Sequence, residues 1–370
     1  MQNLEWYRLR DTTNVISPSL LVYPDRIEKN IQLMVEMAGG TEFLRPHIKT
    51  HKMAEIVDMQ IQYGIKKFKC ATIAEAELLA QCGADDILLA MQAVGANMQR
   101  FFRLMETFPD SKFSTLVDNL KTLNEFITES ESRKTKVSLW MDIDNGMNRT
   151  GIRVGDKAKA LYHKMFTNEQ INVKGLHTYD GHIRNEDINE RKKICDAAFE
   201  PVLKFKADLE DDGLGPIEMV AGGSPSFPIH SKRPNVESSP GTTLLWDERY
   251  GTSFKEMNFL ISAVLLTRII SKPGTNLLCF DLGHKSIAPE MEFPRVKIFG
   301  LENCEQIGQS EEHLVVSCEN PDAYEVGDVF YAIPMHICPT VAKYESVSTV
   351  VNNVITGSWK VAARNQKITI

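Results

Sequence analysis

Lys67-Phe-Lys-Cys-Ala-Thr72, then Ile73-Ala-Glu-Ala-Glu-Leu-Leu-Ala-Gln-Cys-Gly83, then Ile87-Leu-Leu-Ala-Met91 reads as a strand, a helix closed by glycine, and a second strand. A helical crossover between two short apolar runs implies parallel pairing, because a tight turn can join only antiparallel strands. The unit repeats in both directions. Upstream, Ile27, Ile31, Met34 and Met37 recur at helical spacing and stop at Gly39-Gly40, before the run Phe43-Leu-Arg-Pro-His-Ile48 and a helix around 53–63. Downstream come Phe113–Val117, Val137–Asp142, Val173–His177, Ile217–Val220 and Asn235–Ser239, with helical stretches between. Eight strands within roughly 220 residues favour a (β/α)8 barrel of the α/β class over a doubly wound open sheet. The predicted barrel covers residues 15–244. From 245 to 370 the runs Phe259–Ile270, Leu277–Leu282, Leu314–Cys318 and Val329–Ile333 are parted by Gly, Pro and Asn turns, which predicts a β domain that residues 1–14 can join.

The bulk numbers narrow the partners. A chain of 370 residues, 43% hydrophobic and 25% charged, has the composition of a globular protein of about two domains. A net charge of −7 argues against nucleic acid, whose phosphates need a basic surface. No apolar run reaches the ~18 residues that cross a bilayer, so no membrane partner is expected. Met1-Gln-Asn-Leu-Glu-Trp6 has no basic start followed by an apolar stretch, so no secretory signal is expected. Seven cysteines at irregular spacing, without a CxxC, read as free thiols in a reducing compartment, which makes the cytoplasm the expected location.

Three clusters can do chemistry. In Arg45-Pro-His-Ile-Lys-Thr-His-Lys52, residues two apart on a strand share a face, so Arg45, His47 and Lys49 are expected to project together. Strand C-termini of such barrels open into the active site, and a lysine among other cations there is suited to imine formation. Gly222-Gly223-Ser224 follows one late strand and Gly241-Thr242 the next. Backbone N–H groups in glycine turns at that place can cradle a phosphate, although a Gly-Gly-Ser alone is more often a plain turn. His336 and Cys338 stand two apart in what reads as a strand, with side chains pointing the same way. Imidazole plus thiolate suits zinc and leaves positions open for water and substrate, whereas a buried cysteine beside a core histidine is the plainer reading. Tyr179 and His182 lie at the end of another barrel strand.

Arg45–Lys52 resembles the lysine motif of the D-threonine aldolase and D-serine dehydratase family, within the alanine racemase-like fold of pyridoxal-phosphate (PLP) enzymes. The likeness continues through Ala71–Glu77, Asp144–Gly151, Tyr179–His182, Gly222–Ser224, Asp281–Ser286, Glu311–His313 and Pro334–Thr340. It implies that Lys49 is bonded to PLP and that Arg149 sits near the cofactor's phenolic oxygen. It implies also that Tyr179 contacts the ring or substrate, that His182 is a base for the substrate hydroxyl, and that His336 and Cys338 hold a divalent metal, zinc first and manganese second. Alanine racemases set an arginine against the pyridine nitrogen where this chain has Ser239, which argues against plain racemase chemistry. The implied activity is that of a lyase on small D-configured β-hydroxy amino acids, D-threonine aldolase-like. D-serine dehydratase and D-3-hydroxyaspartate dehydratase are the alternatives, with a racemase or a non-catalytic PLP carrier behind them. The resemblance also implies a homodimer. His284, Lys285 and His313 carry no assigned role.

Overall fold

A computed structural model describes residues 5–370; part of the N-terminal stretch read above, residues 1–4, lies outside the described residues. The chain forms two compact units, and neither is contiguous in sequence. One contains Met34–Lys49, Val57–Gly241 and Asn365–Ile370; the other contains Met1–Leu33, Thr50–Ile56 and Thr242–Arg364.

The first unit is the α/β barrel. Seven parallel strands run side by side in sequence order, from Lys67–Cys70 through Asp86–Leu89, Lys112–Val117, Val137–Ile143, Ile171–Thr178 and Glu218–Ala221 to Val236–Ser238. The eighth position is filled by residues 44–48, too irregular for a regular strand. Leu44 bridges Ser238 and His47 bridges Lys69, both in parallel, so the segment touches both edges of the sheet. Pro46 explains the irregularity, since it has no N–H to add to the ladder; its carbonyl still accepts from Lys69 N at 2.9 Å. Helices cover the outside. Thr72 starts one of them, its hydroxyl accepting from Glu75 N at 3.1 Å while the Glu75 carboxylate accepts from Ala71 N at 2.6 Å. Side chains of one face fill the interior, with Leu88, Leu116, Trp140 and Val220 forming a cluster.

In the second unit the long strand Ala263–Gly274 pairs antiparallel with Ser19–Val22, Leu277–Phe280 and Val329–Pro334. Its core gathers Tyr7, Leu9, Leu21, Tyr23, Val264, Leu266, Tyr331 and Val350.

Three expectations need correction. Cys304 and Cys318 form a disulfide, whereas Cys70, Cys82, Cys195, Cys279 and Cys338 stay as thiols, which removes the argument from unpaired thiols for a reducing compartment. His336 and Cys338 do not lie in a strand. The strand ends at Pro334, His336 is the N-cap of the helix Ile337–Val341, and Cys338 lies in its first turn ahead of Pro339, a place proline tolerates. Arg45, His47 and Lys49 do not lie in one regular strand. Arg45 is buried in ion pairs with Asp86 and Glu237, both 2.6 Å, while Lys49 sits in the turn beyond the bridged segment. Among the described residues no helix is long and apolar enough to cross a membrane.

Candidate active site

In the barrel unit, register sets the site. Asp142 pairs with His177, and His177 with Val220 of the interior cluster, so all three side chains share the inner face. His177 Nδ1 lies 2.7 Å from Asp142 Oδ1, and Gln92 Nε2 donates to the other oxygen at 2.9 Å. Burial pushes the Asp142 carboxyl up, but the bond with His177 and its charge hold it below the ordinary range. Lys69 pairs with the inward Leu88 and is buried with them. Burial, then the charge of Lys49, lowers its pKa to about 7 against the pull of Asp142 and Asp180. Lys69 Nζ and His177 Nε2 have no hydrogen-bond partner among the described residues.

Tyr179 is two residues beyond His177, past the strand end. Lys49 Nζ, Lys69 Nζ and the Arg149 guanidinium lie 5.3, 5.7 and 5.0 Å from its ring centroid. None of the three has an ion pair among the described residues, so this convergence of cations is suited to an anionic group. Arg149 is exposed on the Asp144–Gly151 turn, where Asp144 Oδ1 accepts from Gly146 N and Asn148 N. His182 is exposed beside that turn; a Cβ on Gly146 would stand 3.0 Å from its Nε2.

The glycines are there for close approach. A Cβ on Gly223 would stand 2.9 Å from Tyr179 Cε2, and one on Gly241 would stand 2.7 Å from His47 O. Gly222 has φ 74°, the left-handed region that glycine tolerates. Gly241 N donates to Ser224 Oγ at 3.1 Å, which joins the two turns expected to hold phosphate. Thr242 falls in the other unit; its hydroxyl lies 3.4 Å from Cys338 Sγ. Behind Gly222 and Gly223, Asp180 accepts from Ser226 Oγ at 2.6 Å and lies 2.7 Å from His230 Nε2, with Cys195 Sγ 3.5 Å away. Asp180, Cys195 and His230 are the one triple of described residues close enough to hold a metal ion, and it is not the pair read from sequence. Both oxygens of Asp180 are engaged by neighbours that brace the glycine turn.

The pair read from sequence does converge, in the second unit. Cys338 Sγ lies 3.1 Å from Thr50 Oγ1, and His336 Nδ1 lies 2.5 Å from Glu290 Oε1. Burial would lower the His336 pKa, but a hydrogen bond with Cys338 and its charge, then Glu290 and Asp247, lift it to about 9. Asp247 is buried, which raises its carboxyl to about 6 although Tyr250 N and Ile337 N donate to it. The bond to Ile337 N fixes the backbone between histidine and cysteine. Sequence reasoning missed Lys69, His177 and Asp180 in the barrel, and Asp247 and Glu290 around the pair. His284 and Lys285 meet the 310–313 segment through backbone bonds and an exposed ion pair of Lys285 with Glu311 and Glu312, both 2.8 Å.

Comparison with known proteins gives this arrangement its lineage. Residues 22–246, more than half of the chain, match the model of the alanine racemase N-terminal domain. The chain belongs to that family. Residues 262–350 match a putative serine dehydratase domain. This family member is 26% identical to a D-threonine aldolase of Arthrobacter sp, over 95% of this chain and 93% of that one. Among solved structures it resembles D-threonine aldolase from Filomicrobium marinum, with TM-score 0.86, 23% identity and 95% of both chains covered. It also resembles D-threo-3-hydroxyaspartate dehydratase from Delftia sp. HT23, with TM-score 0.81, 17% identity, and 94% and 97% of the two chains covered. A variant of a dehydratase of that name with cysteine replaced by alanine is described as metal-free.

Proposed function

We propose that this chain is a PLP- and divalent-metal-dependent lyase for small D-configured β-hydroxy amino acids, cleaving them as a D-threonine aldolase does to glycine and an aldehyde. The observation that carries the reading is Lys49 and Arg149 meeting over the Tyr179 ring, against which the glycine turn at Gly223 packs. A primary amine and a guanidinium, neither in an ion pair among the described residues, match the aldehyde and the phenolate of the cofactor.

Bound PLP supplies a sink for the electrons of a broken Cα bond. In this reading Lys49 Nζ is the covalent attachment point and carries protons to and from the substrate. The turns at Gly222–Ser224 and Gly241, joined by the bond from Gly241 N to Ser224 Oγ, would border the phosphate, and Arg149 would favour the ionised phenol. A divalent cation, zinc or manganese, supplies a Lewis acid for the β-hydroxyl. His336 and Cys338 would hold it, and the donor set fits, since imidazole and thiolate lie together with a carboxylate on the imidazole's other side. His182 takes the hydroxyl proton as Cα–Cβ breaks, and a proton delivered to Cα completes glycine.

A dehydratase is the second reading, favoured by the match of residues 262–350 and by the thiolate in the metal pair. There Lys49 would take the Cα proton, a cation held by His336 and Cys338 would supply a Lewis acid for the β-hydroxyl, and loss of water followed by hydrolysis of the resulting imine would give a 2-oxo acid and ammonia. The test is incubation of the metal- and cofactor-loaded protein with D-threonine and with D-serine. Acetaldehyde plus glycine from D-threonine supports the aldolase; pyruvate plus ammonia from D-serine supports the dehydratase. Exchange between D and L forms without either product would return the racemase reading. Lys49→Ala should abolish the visible absorbance of bound cofactor. We also propose a homodimer, on the family resemblance; a monomeric mass in solution would overturn it.

A further inference from the structure

Glu290 lies in the loop Ser286–Glu292, ahead of the strand Val296–Ile298. Its carboxylate Oε1 is 2.5 Å from His336 Nδ1, although both side chains are close to half exposed. Exposed ion pairs are usually loose and contribute little, but this one is stapled in place. Thr340 Oγ1 donates to His336 O at 2.8 Å and accepts from Ala288 N at 3.2 Å, so one buried hydroxyl joins the loop of Glu290 to the turn of His336. Met335 N donates to Arg295 O at 2.9 Å from the other side, and Ile287 and Ala288 of the loop itself are buried. An imidazole that gives its Nδ1 proton to a carboxylate presents the Nε2 lone pair outward, in the one tautomer that can bind a metal there.

We infer that Glu290 is the positioning residue of the metal site. It accepts the Nδ1 proton of His336, fixes the ring's rotation and tautomer, and leaves Nε2 and the Cys338 thiolate to share a divalent cation. The inference rests on the metal reading above and adds a residue that touches neither metal nor substrate. Carboxylates placed behind a ligating histidine raise its basicity and are worth roughly 10–100-fold in metal affinity.

The test is zinc affinity of the full chain, measured by competition with a chromophoric chelator, for wild type, Glu290→Ala, Glu290→Gln and the same-loop control Glu292→Ala. Expected is an affinity loss of about 10–100-fold for Glu290→Ala. A smaller loss is expected for Glu290→Gln, whose amide oxygen can still accept the proton, and none for Glu292→Ala. With cobalt(II) in place of zinc, the thiolate-to-metal absorption should persist in Glu290→Ala and vanish in Cys338→Ala. The inference is overturned by unchanged affinity in Glu290→Ala or by an equal loss in Glu292→Ala. It is overturned also if Glu290→Ala abolishes binding as fully as His336→Ala, which would make Glu290 a ligand. Failure of the metal reading itself is distinguishable, because then wild type and His336→Ala bind zinc alike.

Discussion

Lys69 shows what a buried cation costs and how that cost depends on pH. Its amine sits in the barrel interior without a hydrogen-bond partner among the described residues, and its pKa falls to about 7 from an ordinary 10.5. Between those values the unfolded chain holds a proton that the folded chain has shed, so stability rises with pH across that window. Below about pH 7 the folded state carries the full penalty. Lys69→Met keeps the length and flexibility of the side chain without the charge. In the cofactor-free protein it should raise stability by up to a few kcal/mol below neutrality, with the gain shrinking toward pH 10.5. Thermal melts of both proteins at mildly acidic and alkaline pH check this; a gain independent of pH would mean that the amine is not held uncharged. Lys69 and His177 were not legible as site residues, and the reason is physical. Lys67, Phe68, Lys69 and Cys70 alternate polar and apolar as a half-exposed strand does, and nothing in four residues tells that the polar face is the inner one. Lys49, Tyr179 and the glycines stand out in the sequence as candidates because they lie at element ends, where a barrel opens.

Elements were easier to read where periodicity was undisturbed and harder where a single residue broke it. The helix after Thr72 and the strands on either side stand where the alternation put them, since cap, apolar spacing and terminal glycine agree. Residues 334–338 read as a strand because Met335 and Ile337 alternate with their neighbours, whereas the helix Ile337–Val341 takes Pro339 into its first turn. The disulfide needed pairing information that spacing lacks. Glu305 pairs with Ser317 across an antiparallel ladder, which sets Cys304 and Cys318 beside each other only once the register is known. Gly175 marks another such break. Leu139 pairs with Val173 and Trp140 with Gly175, so Lys174 bulges out of the ladder. The glycine has φ 146°, and a Cβ there would stand 2.0 Å from Glu218 O in the next strand. Gly175→Ala must therefore push two central barrel strands apart. It should cost about 2–4 kcal/mol, by backbone strain and lost ladder bonds together, read as a lower denaturant midpoint; an unchanged midpoint would show that the bulge relaxes freely.

The two units are each assembled from separated stretches, and the last of these makes the barrel depend on distant sequence. Residues Asn365–Ile370 group with the barrel although the stretch before them belongs to the other unit. They are held by Glu77, a fully buried carboxylate on the helix that opens at Thr72. Thr369 N donates to Glu77 Oε1 at 2.9 Å, Ile370 N donates to Oε2 at 3.2 Å, and the Thr369 hydroxyl also bonds to Oε1. Arg100, on the following helix, reaches Ile370 O and Gln366 O, both at 2.9 Å. A buried carboxylate stripped of its donors is expensive, whereas a neutral amide in its place is less so. Removing residues 365–370 should therefore destabilise the barrel by about 2–4 kcal/mol. Glu77→Gln should hurt the full chain, which loses charge-assisted bonds, yet recover part of the loss in the shortened one. The four proteins form a double-mutant cycle read by denaturant unfolding. A non-zero coupling of that sign places the terminal stretch and the Thr72 helix in one cooperative unit, and additive effects would show that the terminal residues merely rest on the barrel surface.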